Sequence, residues 1–214
     1  MRAEADRADA LGEALAGANN VLVMAPALGD DADESCSGLL AVEPAADTDV
    51  LCVTFNETPD ARLEAWRRTG GPTEPANLGF LVVGDGMRSA AAATAPSGPS
   101  PNGVGPRLAS LANPGDLTGL GIELGDCFAE WADSGNRLHL CFHTLTTLLQ
   151  YADLRSVYRF LHVLTGRVRV IDGVAHYHLD PAAHDERTVN VLLGLFDAAV
   201  EPGPEGGWRI MSRR

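Results

Sequence analysis

The side chains best suited to chemistry gather in one stretch. All six histidines, His139, His143, His162, His176, His178 and His184, lie between Arg137 and Asp185. His176 and His178 are two residues apart in an apolar run, VAHYHL. On a strand, residues i and i+2 share a face, so these two rings can converge on one divalent ion. His143 closes a second apolar run, LHLCF. With His178 on a neighbouring strand and Glu57 on another, it can form a cluster of imidazole and carboxylate. Such a cluster has two readings, a general base or a buried hydrogen-bond network. The network reading is preferred because no nucleophile or oxyanion site accompanies the histidines. Asp180, His184 and Asp185 follow closely, but Asp180 stands before Pro181, the arrangement of a helix N-cap. His139 sits in mid-strand and reads as a core histidine. His162 falls on the stripe of Arg155 and Arg159, the pattern of a solvated face.

These side chains need a scaffold. The runs NVLVMA (20–25), DVLCVTF (49–55), NLGFLVV (77–83) and LHLCF (138–142) are apolar throughout rather than alternating. Continuous apolar runs mark parallel strands covered on both faces. Helices are expected between them: over 60–68, with Thr58 as cap and Pro59 at the first position; over 117–131, with Asp116 as cap; and over 144–151 and 154–164. Residues 167–177 read as strand material split at Asp172-Gly173, and Asp180-Pro181 as the start of a further helix that turns Val189, Leu192, Phe196 and Val200 inward. Residues 208–211 suggest a short edge strand. The expected fold is a three-layer α/β sandwich with a mainly parallel sheet in one domain, residues 18–214. An N-terminal helix precedes it within residues 1–17. A loop rich in Ala, Gly, Pro and Ser at about 86–105 reads as disordered. Ligands of such sheets bind at the carboxyl ends of the strands. Here those ends include residues 25–33, 56–58, 143–146 and 178–180.

Composition narrows the function. The formal charge is −13 and every basic residue is arginine. Phosphate binding needs clustered cations, so nucleic acid is excluded as a partner of the acidic first half. A lysine-free acidic surface suits high salt. The grouped Arg155, Arg159, Arg167 and Arg169 can meet an acidic partner or another subunit, or pair with acids of the same chain. Four scattered cysteines without a CxxC imply a reducing cytoplasm and no disulfide framework. No apolar run reaches the length of a membrane span, and the acidic N-terminus lacks an apolar leader segment.

Five segments carry a resemblance that covers about residues 20–208: VTFNETPDARLEAW (53–66), NPGDLTGLGIELG (113–125), CFHTLTTLLQY (141–151), RFLHVLTGRV (159–168) and AHYHLDPAAHDERTV (175–189). With this order of motifs the chain resembles the RecA superfamily, within it the KaiC-like signalling domains, and most of all a haloarchaeal family of degenerate KaiC relatives. The resemblance implies a RecA-like sheet, cytoplasmic location and assembly with protein partners or copies of itself. It also implies where an ATP site would lie, and there the sequence departs. A phosphate loop needs backbone N–H groups and a lysine after the first strand. The vestigial loop here, Pro26, Ala27, Leu28, Gly29, Asp30 and Asp31, has no lysine and leads into further acids, Asp33 and Glu34. The position of the magnesium carboxylate is taken by His143, and imidazole is a poor magnesium ligand. Glu57 stands near the place of the family's catalytic glutamate. The expectation is a non-hydrolytic regulatory or interaction module, with no cofactor and no ATP binding. Two alternatives stay open. One is a metal-dependent enzyme using His143, His176, His178 and Glu57, since HYHLDP is similar to the HxHxDH of metallo-hydrolases apart from Pro181. The other is nucleotide binding without hydrolysis.

Overall fold

The computed structural model describes residues 15, 17–26, 31–40, 43–71, 74–84, 107–203 and 208–212. Most of the expected N-terminal helix (1–14 and 16), most of the vestigial loop (27–30) and the 86–105 loop lie outside these residues. Eight strands form one sheet: β1 (Asn20–Met24), β2 (Thr48–Phe55), β3 (Asn77–Val83), β4 (Arg107–Leu111), β5 (Arg137–His143), β6 (Val174–Leu179), β7 (Ala198–Pro202) and β8 (Trp208–Ser212). Their order across the sheet is β4-β3-β2-β5-β6-β1-β7-β8. Every pairing is parallel except that of β7 with β8. The helices are α1 (Asp31–Leu40), α2 (Pro59–Thr69), α3 (Leu117–Glu130), α4 (Leu145–Tyr151), α5 (Leu154–Val170) and α6 (Glu186–Leu193).

The pleat divides each strand between two cores. Leu22, Leu51, Val53, Phe142, Tyr177 and Leu179 point to one face, where residues of α3, α4, α5 and α6 cover them. Val50, Cys52, Phe80, Val82 and Cys141 point to the other, under Cys36 and Leu40 of α1 and Trp66 of α2. The result is a three-layer α/β sandwich. Gly79 is required by this packing. A Cβ there would come within 2.8 Å of the Trp131 ring, which closes over β3.

The caps follow the local chemistry. The Thr58 hydroxyl accepts from the Ala61 N–H at 3.3 Å, and the Asp116 carboxylate from the Gly119 N–H at 2.8 Å. Elsewhere the structure corrects the sequence reading. Residues 167–170 extend α5 rather than forming a strand. Val168 is buried on the line of Leu161 and Leu164, whereas Val170 is 87% exposed, so the alternating RVRV only imitates a strand. Pro181 opens a short 3-10 turn, Pro181–Ala183, which Asp180 caps. The helix proper begins at Glu186, where Asp185 accepts from the Thr188 N–H at 2.7 Å. Val200 belongs to β7, not to this helix. β4 had no counterpart in the sequence reading. It is an edge strand whose residues are mostly half-buried, so it lacks the continuous apolar run that marks its neighbours. Among the described residues no helix is long and apolar enough to cross a membrane.

Candidate functional site

Strand register builds the site. β5 lies beside β6, and Cys141 stands directly opposite His176. On the other side of β5, Cys52 stands opposite Cys141. His176 and His178 share a face of β6, as their spacing requires, and their ring centroids are 5.2 Å apart. Above this face runs α1. Its Ala32, Cys36, Leu39 and Leu40 recur at helical spacing and are all buried, so one stripe is turned onto the sheet. That stripe carries Cys36 into the histidines.

Four donors meet there: Cys36, Cys141, His176 and His178, whose ligand atoms all lie within 4.8 Å of one another. The two sulfurs are 3.2 Å apart. His176 Nε2 lies 3.3 Å from Cys36 Sγ, and His178 Nε2 3.9 Å from Cys141 Sγ. The Trp66 indole N–H points at Cys36 Sγ from 3.4 Å. Both thiols are fully buried and the imidazoles nearly so, at 2% and 3% exposure. His178 Nδ1 is buried without a hydrogen-bond partner among the described residues. All four cysteines of the chain are free thiols.

Electrostatics separates the two sulfurs. Burial works against both thiolates. For Cys36 it is outweighed by a hydrogen bond from Cys141 and by His176 and His178, and the pKa falls well below the usual thiol value. Burial and the adjacent Cys36 and Cys52 hold Cys141 well above it. His178 is pushed down by burial, against the opposing pull of Cys36.

A second group adjoins the first. The His143 ring centroid lies 4.9 Å from that of His178, and its Nδ1 is 3.8 Å from Glu57 Oε2. The sequence reading placed these three residues together, and the structure does bring them together. Burial, then the neighbouring His178 and Arg62, push the His143 imidazole well below its ordinary pKa. Glu57, however, is held elsewhere. Its Oε1 accepts from Arg62 Nη2 at 2.9 Å and from Arg62 Nε at 3.3 Å. Arg62 Nη1 pairs with Asp33 at 2.8 Å. The Arg62 side chain is only 4% exposed. Burial opposes its charge, but Cys36 and Glu57 more than offset this, and its pKa stands above the ordinary arginine value.

The other histidines lie apart from this site. His139, buried, pairs with Glu43 at 3.3 Å. His162 is exposed on α5 and stacks on Tyr158. His184 ends the 3-10 turn. Of the vestigial loop, Pro26 is exposed after β1 and Asp31 is the first residue of α1. Cys36, Cys141 and Arg62 are the site residues that sequence reasoning missed. The helical recurrence of apolar positions over 32–40 was the available signal for Cys36.

A second feature lies on the opposite layer. A groove of about 720 Å³ runs between α3 and α5, with Ile122 and Val163 in its lining. Both are more than half exposed, at 58% and 55%. Arg159 and Arg167 line it too, with one acid, Asp126.

Comparison with known proteins gives a family without an activity. Residues 18–202 match the model of a family of unknown function, DUF7504, and the chain belongs to that family. No curated protein matches it. A solved protein from Pyrococcus horikoshii OT3, known from a structural study, is similar in fold with a TM-score of 0.58. The two are 11% identical, and the alignment covers 90% of this chain and 85% of that one. At that identity the likeness speaks for the fold alone.

Proposed function

We propose that this chain is a non-hydrolytic RecA/KaiC-like module that acts in regulation through protein contacts. The observation that carries the reading is the fate of Glu57. In an ATPase of this architecture a glutamate here would face a nucleophilic water. In this chain its carboxylate is engaged by Arg62, which is buried and also pairs with Asp33. With Oε1 taken up by two N–H groups of Arg62, the carboxylate is oriented by the guanidinium rather than left free to orient a water. The strand end expected to supply a magnesium ligand supplies His143, packed on His178. The chain has no lysine for a phosphate grip. Phosphate, metal and water are therefore all without their usual partners.

The contact surface offered is the α3/α5 groove, where Ile122 and Val163 stand beside arginines. It suits a partner that presents apolar side chains flanked by carboxylates. The first hundred residues of a second copy carry sixteen acids against six arginines. Charge complementarity therefore favours self-association or a similarly acidic protein. A protein module of this kind is expected to remain in the cytoplasm.

The deciding experiment is an ATP-binding and turnover assay in high salt with magnesium present. Neither micromolar affinity nor turnover is expected. Micromolar binding with turnover overturns the proposal, and micromolar binding without turnover replaces it with nucleotide sensing. The metal-enzyme reading draws less support, because His176 and His178 are nearly sealed from solvent and only His143 of its histidines is partly exposed.

A further inference from the structure

We infer that Cys36, Cys141, His176 and His178 form a closed, structural Zn²⁺ site that ties α1 to β5 and β6. The donors decide the metal. Two sulfurs and two imidazole nitrogens, with no carboxylate among them, are a set for zinc rather than for magnesium or calcium. Four protein ligands complete a tetrahedron and leave no open position, which distinguishes a structural zinc from a catalytic one.

The geometry agrees. Zn–S bonds of about 2.3 Å and Zn–N bonds of about 2.0–2.1 Å place tetrahedral ligand atoms about 3.3–3.8 Å apart. The separations here are 3.2 Å between the sulfurs, 3.3 Å from His176 to Cys36 and 3.9 Å from His178 to Cys141. All four ligand atoms lie within 4.8 Å of one another, so shifts on the order of an ångström, within rotamer adjustment, accommodate the ion. Charge agrees as well. Two thiolates and two neutral imidazoles cancel the charge of Zn²⁺, so the filled site is neutral where it is buried. The cation beside it, Arg62, is already balanced by Asp33 and Glu57.

Burial supplies an independent argument. Polar groups sealed from water destabilise a fold unless they find partners. Here two thiols and two imidazoles are sealed together, linked only through sulfur, a weak donor and a weak acceptor. One ion would bind the whole cluster. The Trp66 N–H, aimed at Cys36 Sγ, is the outer-shell donor that steadies a metal thiolate. The four residues come from three elements, and Cys36 is 105 positions from Cys141 in the chain. A bound ion therefore cross-links the segment after β1 to the middle of the sheet. This site is independent of the non-hydrolytic reading, which stands or falls on ATP alone.

The test uses the full chain, purified under reducing conditions. Elemental analysis should find one zinc per chain. After removal of zinc by chelator, Co²⁺ should give the visible bands of a tetrahedral ion with thiolate-to-cobalt charge transfer. Cys36→Ser and Cys141→Ser should each reduce the charge-transfer intensity by about half. Each should also weaken zinc binding by at least about 100-fold, since loss of an outer-shell partner alone costs 10–100-fold. The Co²⁺ spectrum of the wild-type chain keeps the test decisive if a variant fails to fold. Protein without stoichiometric zinc that also gives no Co²⁺ charge transfer overturns the site. So does a Cys36–Cys141 disulfide as the stable form under these reducing conditions, or a Co²⁺ spectrum indifferent to both serine variants.

Discussion

The two faces of the sheet are made by the same strands and do opposite things. On β5 and β6, Phe142 and Tyr177 point to the α3–α6 layer, while Cys141, His176 and His178 point to the α1–α2 layer. The first face is apolar. Phe142 packs against Phe55 at 5.8 Å, Tyr177 at 5.9 Å and Phe160 at 6.3 Å, and the Tyr177 hydroxyl donates to Asn20 at 3.1 Å. The second face buries thiols, imidazoles and a guanidinium side by side. One residue of shift along a strand thus separates packing from chemistry. The apolar face can hold the fold while the opposite face carries the polar groups.

Mutations on the two faces should separate the roles. Phe142→Ala removes a ring in contact with three others and should destabilise the chain by about 3–5 kcal/mol. Urea denaturation with and without chelator should return the same loss, because the apolar face is indifferent to metal. Cys141→Ser should behave in the opposite way. With free zinc near 100 times its dissociation constant, binding to the folded state alone is worth about 2.7 kcal/mol, and chelation should cost the wild-type chain that amount and the variant less than about 0.5 kcal/mol. An equal response of both to chelator would erase the distinction between the faces.

Glu57→Gln probes the rim of the second face. It should lower stability by about 1–2 kcal/mol, less than loss of a fully buried pair, because Asp33 still holds Arg62 and Glu57 is one-quarter exposed. ATP turnover should be absent before and after, and a measurable rate that vanishes in the variant would restore Glu57 as a catalytic base. The smallest effect is expected at Asp116→Ala, which removes the cap of α3 and should cost about 1 kcal/mol by thermal unfolding, with zinc content unchanged.

The parts of the molecule that were legible in the sequence share a physical cause. β1, β2, β3 and β5 are sealed on both faces, so each shows as an apolar run. Thr58 and Asp116 announce helix starts because their side chains satisfy backbone N–H groups two or three residues away. His176 and His178 fall on one face by the period of the strand alone. Segments under weaker local constraint misled. Residues 167–170 alternate like a strand, yet the packing of Val168 beside Leu164 keeps them helical. β4 is a half-buried edge and carries no strong pattern. The Asp180-Pro181 pair marks a turn one step before the helix that Asp185 starts.

The site divides in the same way. Residue type and spacing determined that His143, His178 and Glu57 belong at strand ends, and that no lysine is present to grip a phosphate. Which groups share a cavity was decided by tertiary structure. Strand order is not chain order: β1 lies beside β6 and β2 beside β5, and α1, which follows β1, carries Cys36 to β5 and β6. Cys36, Cys141 and His176 therefore meet through crossovers, not through neighbourhood in sequence. Arg62 captures Glu57 only because α2 follows β2 closely enough to lay a guanidinium over the strand end. Periodicity sets the face on which a side chain lies. Only the folded sheet sets what lies opposite it, because that depends on register between segments far apart in the chain.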